Sequence, residues 1–418
     1  MTLRRQPEDF RVVEHLAPPT LDLLKPSHPA PLHAVYRVSK TSLTTPEVST
    51  MLEKALKSAG LRTSNTQHAG LKDKHAHTTQ HISLQLNPND LPPLPRLPAN
   101  LSAHNWSAEL LGTLPRALTA HDILHNHFAI TVRALSTQRC EEIARTAQRF
   151  HHPAHENTLL IPNYFGEQRF GSARHEQGWI AHALVKGDFE LALKLAIATP
   201  ARKDTGARRT LTRTLIQHWN NWTTALPLIP RCPERACVEL LAKEPTNPNR
   251  FRDAFAALPH FVQQISVDAF QSMLFNQALV NLIRTATPAE DRSQLTTLST
   301  PFGDLLFPPA PRITDLDQSL PLPAPNMPPS SPSWQAAITA ALAPFALTPE
   351  ELTIPGLRRP AFHASTRPAF MLASNFHLSQ PLPDELAAPR SPLNRKLTAT
   401  FTLPRGSYAT VLFRALGE

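Results

Sequence analysis

The segment AGLKDKHAHTTQ, which runs from Ala69 to Gln80, holds one carboxylate, Asp73, between two lysines. We expect a loop here, because Gly70 stands near its start and a strand pattern begins at its end. Ammonium groups on either side favour the ionised form of a carboxylate. Such a carboxylate can attack a sugar carbon or remove a proton from it. The other interpretation is a solvated surface loop, which composition alone favours for a short charge run.

The segments around this loop predict an α+β domain. Helical spacing of apolar residues predicts a helix from Thr45 to Gly60, with Thr45 as its N-cap. Alternation of apolar and polar residues predicts strands at Ala34 to Ser39 and at His81 to Leu86. The same alternation predicts later strands at Phe128 to Val132 and at Leu397 to Leu403. This order is typical of a sheet with helices packed on one side.

The charge of the chain favours a polyanionic partner. Lys and Arg number 42 against 33 for Asp and Glu in 418 residues, which gives a formal net charge of +9. Nucleic acid is the natural partner for such a surface, although charge alone leaves an ordinary basic protein as an equal alternative. The sequence has no apolar h-region at its start and no apolar run of membrane-spanning length, so a cytoplasmic protein without a membrane span is predicted.

Neither a disulfide framework nor a metal site is predicted. The three cysteines, Cys140, Cys232 and Cys237, form no paired CxxC motif. His75 and His77 could project from one side of a strand as metal ligands. However, no cysteine or second carboxylate stands close enough in sequence to complete a ligand set.

Two later stretches differ in character from the region around Asp73. From Ser172 to Ala257 the pattern is helical and includes a basic run, Arg202, Lys203, Arg208, Arg209 and Arg213, which we expect to contact RNA. Between Phe307 and Trp334 prolines dominate, so we expect an extended, poorly ordered loop.

Two clusters combine aromatic rings, amides and arginines in a way that suits RNA. They are NHFAITVR, from Asn126 to Arg133, and PNYFGEQRFG, from Pro162 to Gly171. Rings can stack on an unstacked base, and amides can bond its edge. Phe128 has a second interpretation as a core residue, because it alternates with Ile130 and Val132.

Taken together, the motifs resemble the TruD family of tRNA pseudouridine synthases, in the order found in that family. The N-terminal PEDFRVVEHL, the catalytic-type AGLKDKHAHTTQ, NYFGEQRFG and the final LPRGSYATVLFRAL carry the resemblance, and SVDAFQSMLFNQAL and TPFGDLL are similar to its insertion domain. The chain departs from the family pattern at His125, where glycine is usual, at Tyr408, where phenylalanine is common, and in the proline-rich stretch.

The resemblance implies a pseudouridine synthase catalytic core, a mixed and mainly antiparallel sheet flanked by helices, with an inserted α/β TRUD domain. It places the catalytic domain at residues 1–172 and 355–418, and the insertion at 173–354 with the proline-rich loop at 307–334. A basic cleft between the domains would hold tRNA.

The resemblance also implies roles for single residues. Asp73 corresponds to the catalytic aspartate, and Lys72 is expected to keep that carboxylate ionised. Four residues correspond to the uridine pocket: Phe10, Asn126, Tyr408 and Phe128.

The implied reaction isomerises uridine to pseudouridine in tRNA, at position 13, in a monomeric enzyme. No cofactor is expected, because the reaction needs neither redox nor phosphate chemistry. Asp73 would either attack C1′ or remove a sugar proton to give a glycal, and the sequence leaves both routes open. Two rival functions are a non-catalytic RNA-binding protein of the same fold and a nucleoside glycosidase, which would release free uracil.

Overall fold

The chain is divided between two units, as seen in a computed structural model that describes residues 2–26, 33–87, 97–171, 177–201, 204–310, 319–388 and 390–417. The first unit contains Met1–Ile161 and Met371–Glu418, with the short segment Pro309–Arg312. The second contains Pro162–Pro308 and Ile313–Phe370. The assignment of these units to a catalytic domain and an inserted domain stays a prediction.

A large sheet forms the first unit, and its described residues contribute twelve strands. Numbered in chain order, they are β1 (Thr2–Leu3), β2 (Phe10–Leu16), β3 (His33–Thr41), β4 (Thr63–His68), β5 (His77–Leu86), β6 (Asn100–Ala103), β7 (Trp106–Leu114), β8 (Ile123–Leu135), β9 (Leu159–Pro162), β14 (Phe370–Leu378), β15 (Leu382–Pro383) and β16 (Arg395–Pro404).

The order across this sheet is β6-β7-β3-β5-β2-β8-β16-β14-β9, with β1 on β8, β15 on β16 and β4 on β5. Strands β2 and β5 run parallel, whereas β3 with β5, β2 with β8 and β8 with β16 are antiparallel. The predicted class, a mainly antiparallel sheet flanked by helices, is confirmed. The four predicted strand segments all lie inside strands of this sheet.

Helices α1 (Pro18–Leu23), α2 (Thr45–Ser58), α3 (Thr137–Arg149) and α12 (Ala409–Ala415) accompany the sheet. Helix α2 packs its buried leucines against Tyr36 and Ile82 in one apolar core. Its N-cap is Thr44, whose side chain accepts a hydrogen bond from the main chain of Glu47. The predicted cap at Thr45 is therefore wrong by one residue, and the Thr45 hydroxyl is free for another contact.

The second unit is mostly helical. Its described helices are α4 (Ile180–Val185), α5 (Phe189–Ile197), α6 (Gly206–Gln217), α7 (Trp222–Ala225), α8 (Pro233–Lys243), α9 (Arg250–Ala256), α10 (His260–Ala286) and α11 (Pro332–Leu342). Two small antiparallel sheets accompany them: β10 (Thr296–Leu298) with β11 (Leu305–Phe307), and β12 (Ser319–Pro321) with β13 (Thr366–Pro368). The helical pattern predicted for Ser172 to Ala257 is confirmed in the residues that the structure describes.

The proline-rich stretch between Phe307 and Trp334 is not a single extended loop, so that expectation is wrong for its described part. Strand β12 lies within it, and Leu320 and Leu322 are buried. The Trp334 indole donates a hydrogen bond to the carbonyl of Pro321 at 3.1 Å. Proline is compatible with this arrangement because every strand of a two-stranded sheet is an edge strand. Residues 311–318 lie outside the described residues.

The NYFG motif of the second unit forms core structure rather than an RNA-stacking surface. Tyr164 is fully buried, and its hydroxyl donates to the carbonyl of Leu306 at 2.8 Å. The side-chain amide of Asn276 bonds both the N–H and the carbonyl of Phe165. The Arg367 guanidinium covers the Phe165 ring at 4.0 Å. Because these rings are occupied, the predicted stacking of a base on this motif is not supported.

Candidate active site

The loop that carries Asp73 is fastened to the first unit through its main chain. Strand β4 enters the loop and β5 leaves it. The N–H of Lys72 donates to the Thr45 hydroxyl at 3.0 Å, and that hydroxyl donates to Gln80 at 3.0 Å. The carbonyl of Asp73 accepts a hydrogen bond from the Lys40 ammonium at 2.8 Å. The start of α2 and the end of β3 therefore fix the position of Asp73.

The carboxylate of Asp73 is paired with Arg4. The guanidinium Nη2 of Arg4 donates to Oδ2 of Asp73 at 2.9 Å, and both side chains keep a partly exposed surface. Arg4 has a φ of 63°, in the left-handed region that non-glycine residues rarely adopt. Strain of this kind is often found at functional sites, where the surrounding structure enforces it.

Two anchors hold the segment that carries Arg4. On one side of Arg4, β1 pairs with the end of β8, with Thr2 opposite Arg133. On the other side, Asp9 accepts a hydrogen bond from Nε of the buried Arg133 at 2.8 Å. The same guanidinium also binds Asp384 at 2.7 Å. These contacts fix the chain on both sides of Arg4, so its side chain is held next to Asp73.

Lys72 does not pair with Asp73, and its expected role in keeping that carboxylate ionised stays a prediction. Its ammonium forms an ion pair with Glu14, whose side chain has no exposed surface. Glu14 also accepts from the main chain and the ring of His81 at 2.9 and 3.0 Å. Burial alone would raise the pKa of Glu14, but the His81 hydrogen bond and the Lys72 charge outweigh it and lower the pKa. The remaining flanking lysine, Lys74, faces Glu47 at 3.4 Å.

Two aromatic residues of the predicted pocket, Phe10 and Phe128, lie together and are buried. The Phe10 and Phe128 rings meet edge to face with centroids 6.3 Å apart. Phe128 stacks on Phe401 at 5.3 Å. The Arg4 guanidinium lies over the Phe10 ring at 4.2 Å. Arg4 therefore bridges this ring cluster and the Asp73 carboxylate.

Asn126 lies on the same face of the sheet as the rings. It pairs in register with Glu14 of β2 and with Leu403 of β16. Its Oδ1 atom is buried and has no hydrogen-bond partner among the residues that the structure describes. Tyr408 is half-buried at the N-cap of α12, a few residues beyond the end of β16. The strand register thus brings Phe10, Phe128 and Asn126 together, and Tyr408 follows the neighbouring strand.

Three charged residues of this region were missed by the sequence analysis: Arg4, Glu14 and Lys40. A signal existed for two of them. In the alternating pattern of β2, Glu14 stands at a buried position. In β3, Lys40 stands at the next buried position after Ala34, Tyr36 and Val38. A charged residue at such a position needs a partner, because burial of an isolated charge is costly. Arg4 gave no such signal.

The predicted basic run lies partly on α6. Arg208 pairs with Glu234, while Arg209 and Arg213 are exposed on α6. Arg202 and Lys203 lie outside the described residues.

Within the part of the chain that the structure describes, no group of three or more His, Cys, Asp or Glu side chains could hold a metal ion. No helix in that part is both long and apolar enough to cross a membrane.

Known proteins match the chain along nearly its whole length. A family model described as tRNA pseudouridine synthase D (TruD) matches residues 1–294. The tRNA pseudouridine synthase D of Aquifex aeolicus is 27% identical over 99% of this chain and 97% of its own. The probable tRNA pseudouridine synthase D 2 of Methanocaldococcus jannaschii is 27% identical over 99% of this chain and 91% of its own.

A solved structure shows the same fold. The crystal structure assigned as a tRNA pseudouridine synthase D from Methanosarcina mazei aligns with a TM-score of 0.64 at 22% identity. The alignment covers 99% of this chain and 92% of that chain. These matches confirm the resemblance that the motifs indicate. The chain belongs to the TruD family of tRNA pseudouridine synthases.

Proposed function

We propose that the protein isomerises uridine 13 of tRNA to pseudouridine, with Asp73 as the reacting carboxylate. The observation that carries this proposal is the Arg4–Asp73 ion pair beside the Phe10 ring, in a chain of the TruD family. The Asp73 carboxylate is partly exposed. The Arg4 guanidinium pairs with it, and the Lys40 hydrogen bond fixes its main chain, so the carboxylate is oriented before the substrate binds. Orientation of this kind is a large part of catalysis.

The reaction requires only a carboxylate and a closed pocket. The N1–C1′ bond breaks, the uracil rotates while it is retained, and C5 bonds to C1′, after which C5 loses its proton and N1 gains one. Asp73 would either attack C1′ or remove a ribose proton. The product has the mass of the substrate, so no redox partner or external group is consumed.

Asn126 is proposed to read the uracil. Its buried Oδ1 is an acceptor without a donor among the described residues, and the N3–H of uracil is a donor of suitable strength. An unsatisfied buried acceptor is costly, so a ligand that satisfies it gains free energy. Extrusion of the uridine from its stack costs a few kcal/mol, which contacts of this kind offset.

The ring residues are proposed to stack on the uracil after the partly exposed Arg4 guanidinium, which covers Phe10, moves aside. Phe10 and Phe128 are 2% and 8% exposed, and Arg4 covers one face of Phe10. A base that stacks on Phe10 must therefore meet or displace the guanidinium, and arginine planes themselves stack on RNA bases. Tyr408 is proposed to add a ring from the side of β16.

The first unit is proposed to be the catalytic domain, because Arg4, Asp73 and Asn126 all belong to it. The second unit is proposed to be the inserted TRUD domain. The protein is proposed to act as a monomer on tRNA in the cytoplasm, with the net charge of +9 contributing to tRNA binding.

The test is a tritium-release assay on tRNA that carries 5-tritiated uridine, followed by mapping of the modified position. Wild type should release tritium from one uridine, and a substrate with cytidine at position 13 should release none. Asp73→Asn should bind tRNA and release none, whereas Asp22→Asn, at an exposed carboxylate on α1, should behave as wild type. Free uracil as product would instead identify a glycosidase, and normal pseudouridine formation by Asp73→Asn would exclude the assignment.

A further inference from the structure

Lys40 is a buried lysine that lies directly beneath the Asp73 loop. It is 1% exposed, near the end of β3, where the preceding residues on the same face are apolar. Its ammonium donates to the carbonyl of Leu43 at 2.6 Å and to the carbonyl of Asp73 at 2.8 Å. One charged group therefore joins the main chain just before α2 to the main chain of the candidate catalytic residue.

The surroundings of Lys40 make this ammonium costly. Burial lowers its pKa to about 8, which the negative charges of Asp73 and Glu47 counteract and the positive charge of Lys72 reinforces. The carboxylates nearby are bound to other cations, Asp73 to Arg4 and Glu47 to Lys74. The hydrogen bonds of Lys40 go to two carbonyls instead. A buried charge with this arrangement is expected where position matters more than stability.

Building on the proposed role of Asp73, we propose that Lys40 is a positioning residue for the reaction. Its ammonium holds the carbonyl of Asp73 against the start of α2 and so fixes the carboxylate relative to Arg4 and the ribose. The ammonium itself need not touch the substrate. Loss of this tether would let the carboxylate move, with little effect on the surfaces that bind tRNA.

The first test compares steady-state constants of Lys40→Met and Lys40→Arg in the full chain by tritium release. Lys40→Met should lower kcat about tenfold to a hundredfold, the loss expected when a reacting group is misplaced by about 1 Å, and should change KM for tRNA less than about threefold. Lys57→Met removes an exposed lysine of α2 and should retain wild-type constants. Thermal unfolding shows whether each variant is folded.

The second test is the pH profile of kcat, which a merely structural role would not move. The charged groups that face Lys40 are Asp73 and Lys72 from the loop and Glu47 from α2. As the pH rises through the range near 8, Lys40 loses its proton, so wild-type kcat should fall. An arginine stays charged there, so Lys40→Arg should shift the decline to higher pH, and Lys40→Met should show a low, flat profile.

The outcomes separate this inference from the proposed function. If Asp73→Asn is inactive but Lys40→Met matches wild type in kcat, only the role of Lys40 is overturned. If Asp73→Asn is active, the proposed function fails first. If Lys40→Met does not fold, the pH profiles of kcat for wild type and Lys40→Arg test the role of Lys40. A wild-type kcat that stays constant as the pH rises through the range near 8 overturns the inference.

Discussion

Glu14 and Lys72 form a buried ion pair that ties the residue next to Asp73 to the middle of the sheet. The carboxylate comes from β2 and the ammonium from the loop, 58 residues later. Glu14 also accepts two hydrogen bonds from His81 of β5. One carboxylate therefore joins the loop and two parallel strands.

Replacement of Glu14 by Ala should lower the free energy of unfolding by about 3–5 kcal/mol, the usual cost when one partner of a buried ion pair is removed. Lys72 would be left largely buried without its counter-ion. Urea unfolding measures the change. Glu8→Ala, at an exposed position, is the control and should cost little. Equal midpoints for the two variants would show that the ion pair contributes nothing.

The same pair predicts a pH dependence of stability. Because the pKa of Glu14 is lowered in the folded chain from an ordinary value of 4.5, the unfolded chain takes up the proton first as the pH falls. The stabilisation is present above pH 4.5 and is lost as the pH falls through the folded-state value. Urea unfolding of wild type and Glu14→Gln should therefore converge at low pH. A constant difference between them would contradict this prediction.

Replacement of Arg4 by Met should lower the single-turnover rate about a hundredfold to a thousandfold, the range seen when a charge-stabilising donor is removed from an active site. The rate of Arg4→Lys should lie between those of wild type and Arg4→Met, because lysine keeps the charge but lacks the planar group that covers Phe10. Arg145→Met, on the exposed side of α3, serves as control. A wild-type rate in Arg4→Met would show that Arg4 does not contribute to the reaction.

Replacement of Asn126 by Ala should lower kcat/KM by a factor equivalent to about 1–3 kcal/mol without lowering stability. The reason is that its Oδ1 has no hydrogen-bond partner in the described part of the chain, so the substitution removes no hydrogen bond of that atom. Kinetics and thermal unfolding are measured together, with exposed Asn100→Ala as control. A lower Tm with unchanged kcat/KM would reverse the interpretation and make Asn126 a structural residue.

Replacement of Arg133 by Met should lower the free energy of unfolding by about 3–5 kcal/mol, because it leaves Asp9 buried without its cation and leaves Asp384 with the longer contact to Arg5 at 3.8 Å. Arg37→Met removes an ion pair in which both side chains are about half exposed, and should cost about 0–1 kcal/mol. Chemical denaturation of both variants gives the comparison. Similar losses would show that burial of the Arg133 cluster adds nothing.

The sequence predicts helices and strands well where the apolar residues follow one clear period, either that of a helix or that of a strand. The alternation in β16 and the apolar stripe of α2 each identify an element, because burial of one face determines which residues are apolar. Asp73 could also be chosen as the candidate carboxylate, since its loop is a short, dense motif. The N-cap of α2 was placed one residue late because Thr44 and Thr45 are both able to cap.

The partners of Asp73 could not be predicted in the same way. Flanking lysines suggested a local counter-ion, but neighbouring residues in a loop point in different directions, and the cation arrives from a segment 69 residues earlier. The NYFG motif failed for a related reason. Its composition suits RNA, yet only the fold shows that Asn276 and Arg367 occupy Phe165.

The pairing of β8 with β16 has a consequence during protein synthesis. Phe128 meets Phe401 across these strands, so the ribosome must make all the residues between them before that pair can form. Until then the edge of β8 is open in the nascent chain, and an open edge can recruit the wrong strand. Contacts between such distant residues also form slowly. We therefore expect chaperones to bind ribosome-held chains that stop before β16 more strongly than released full-length protein.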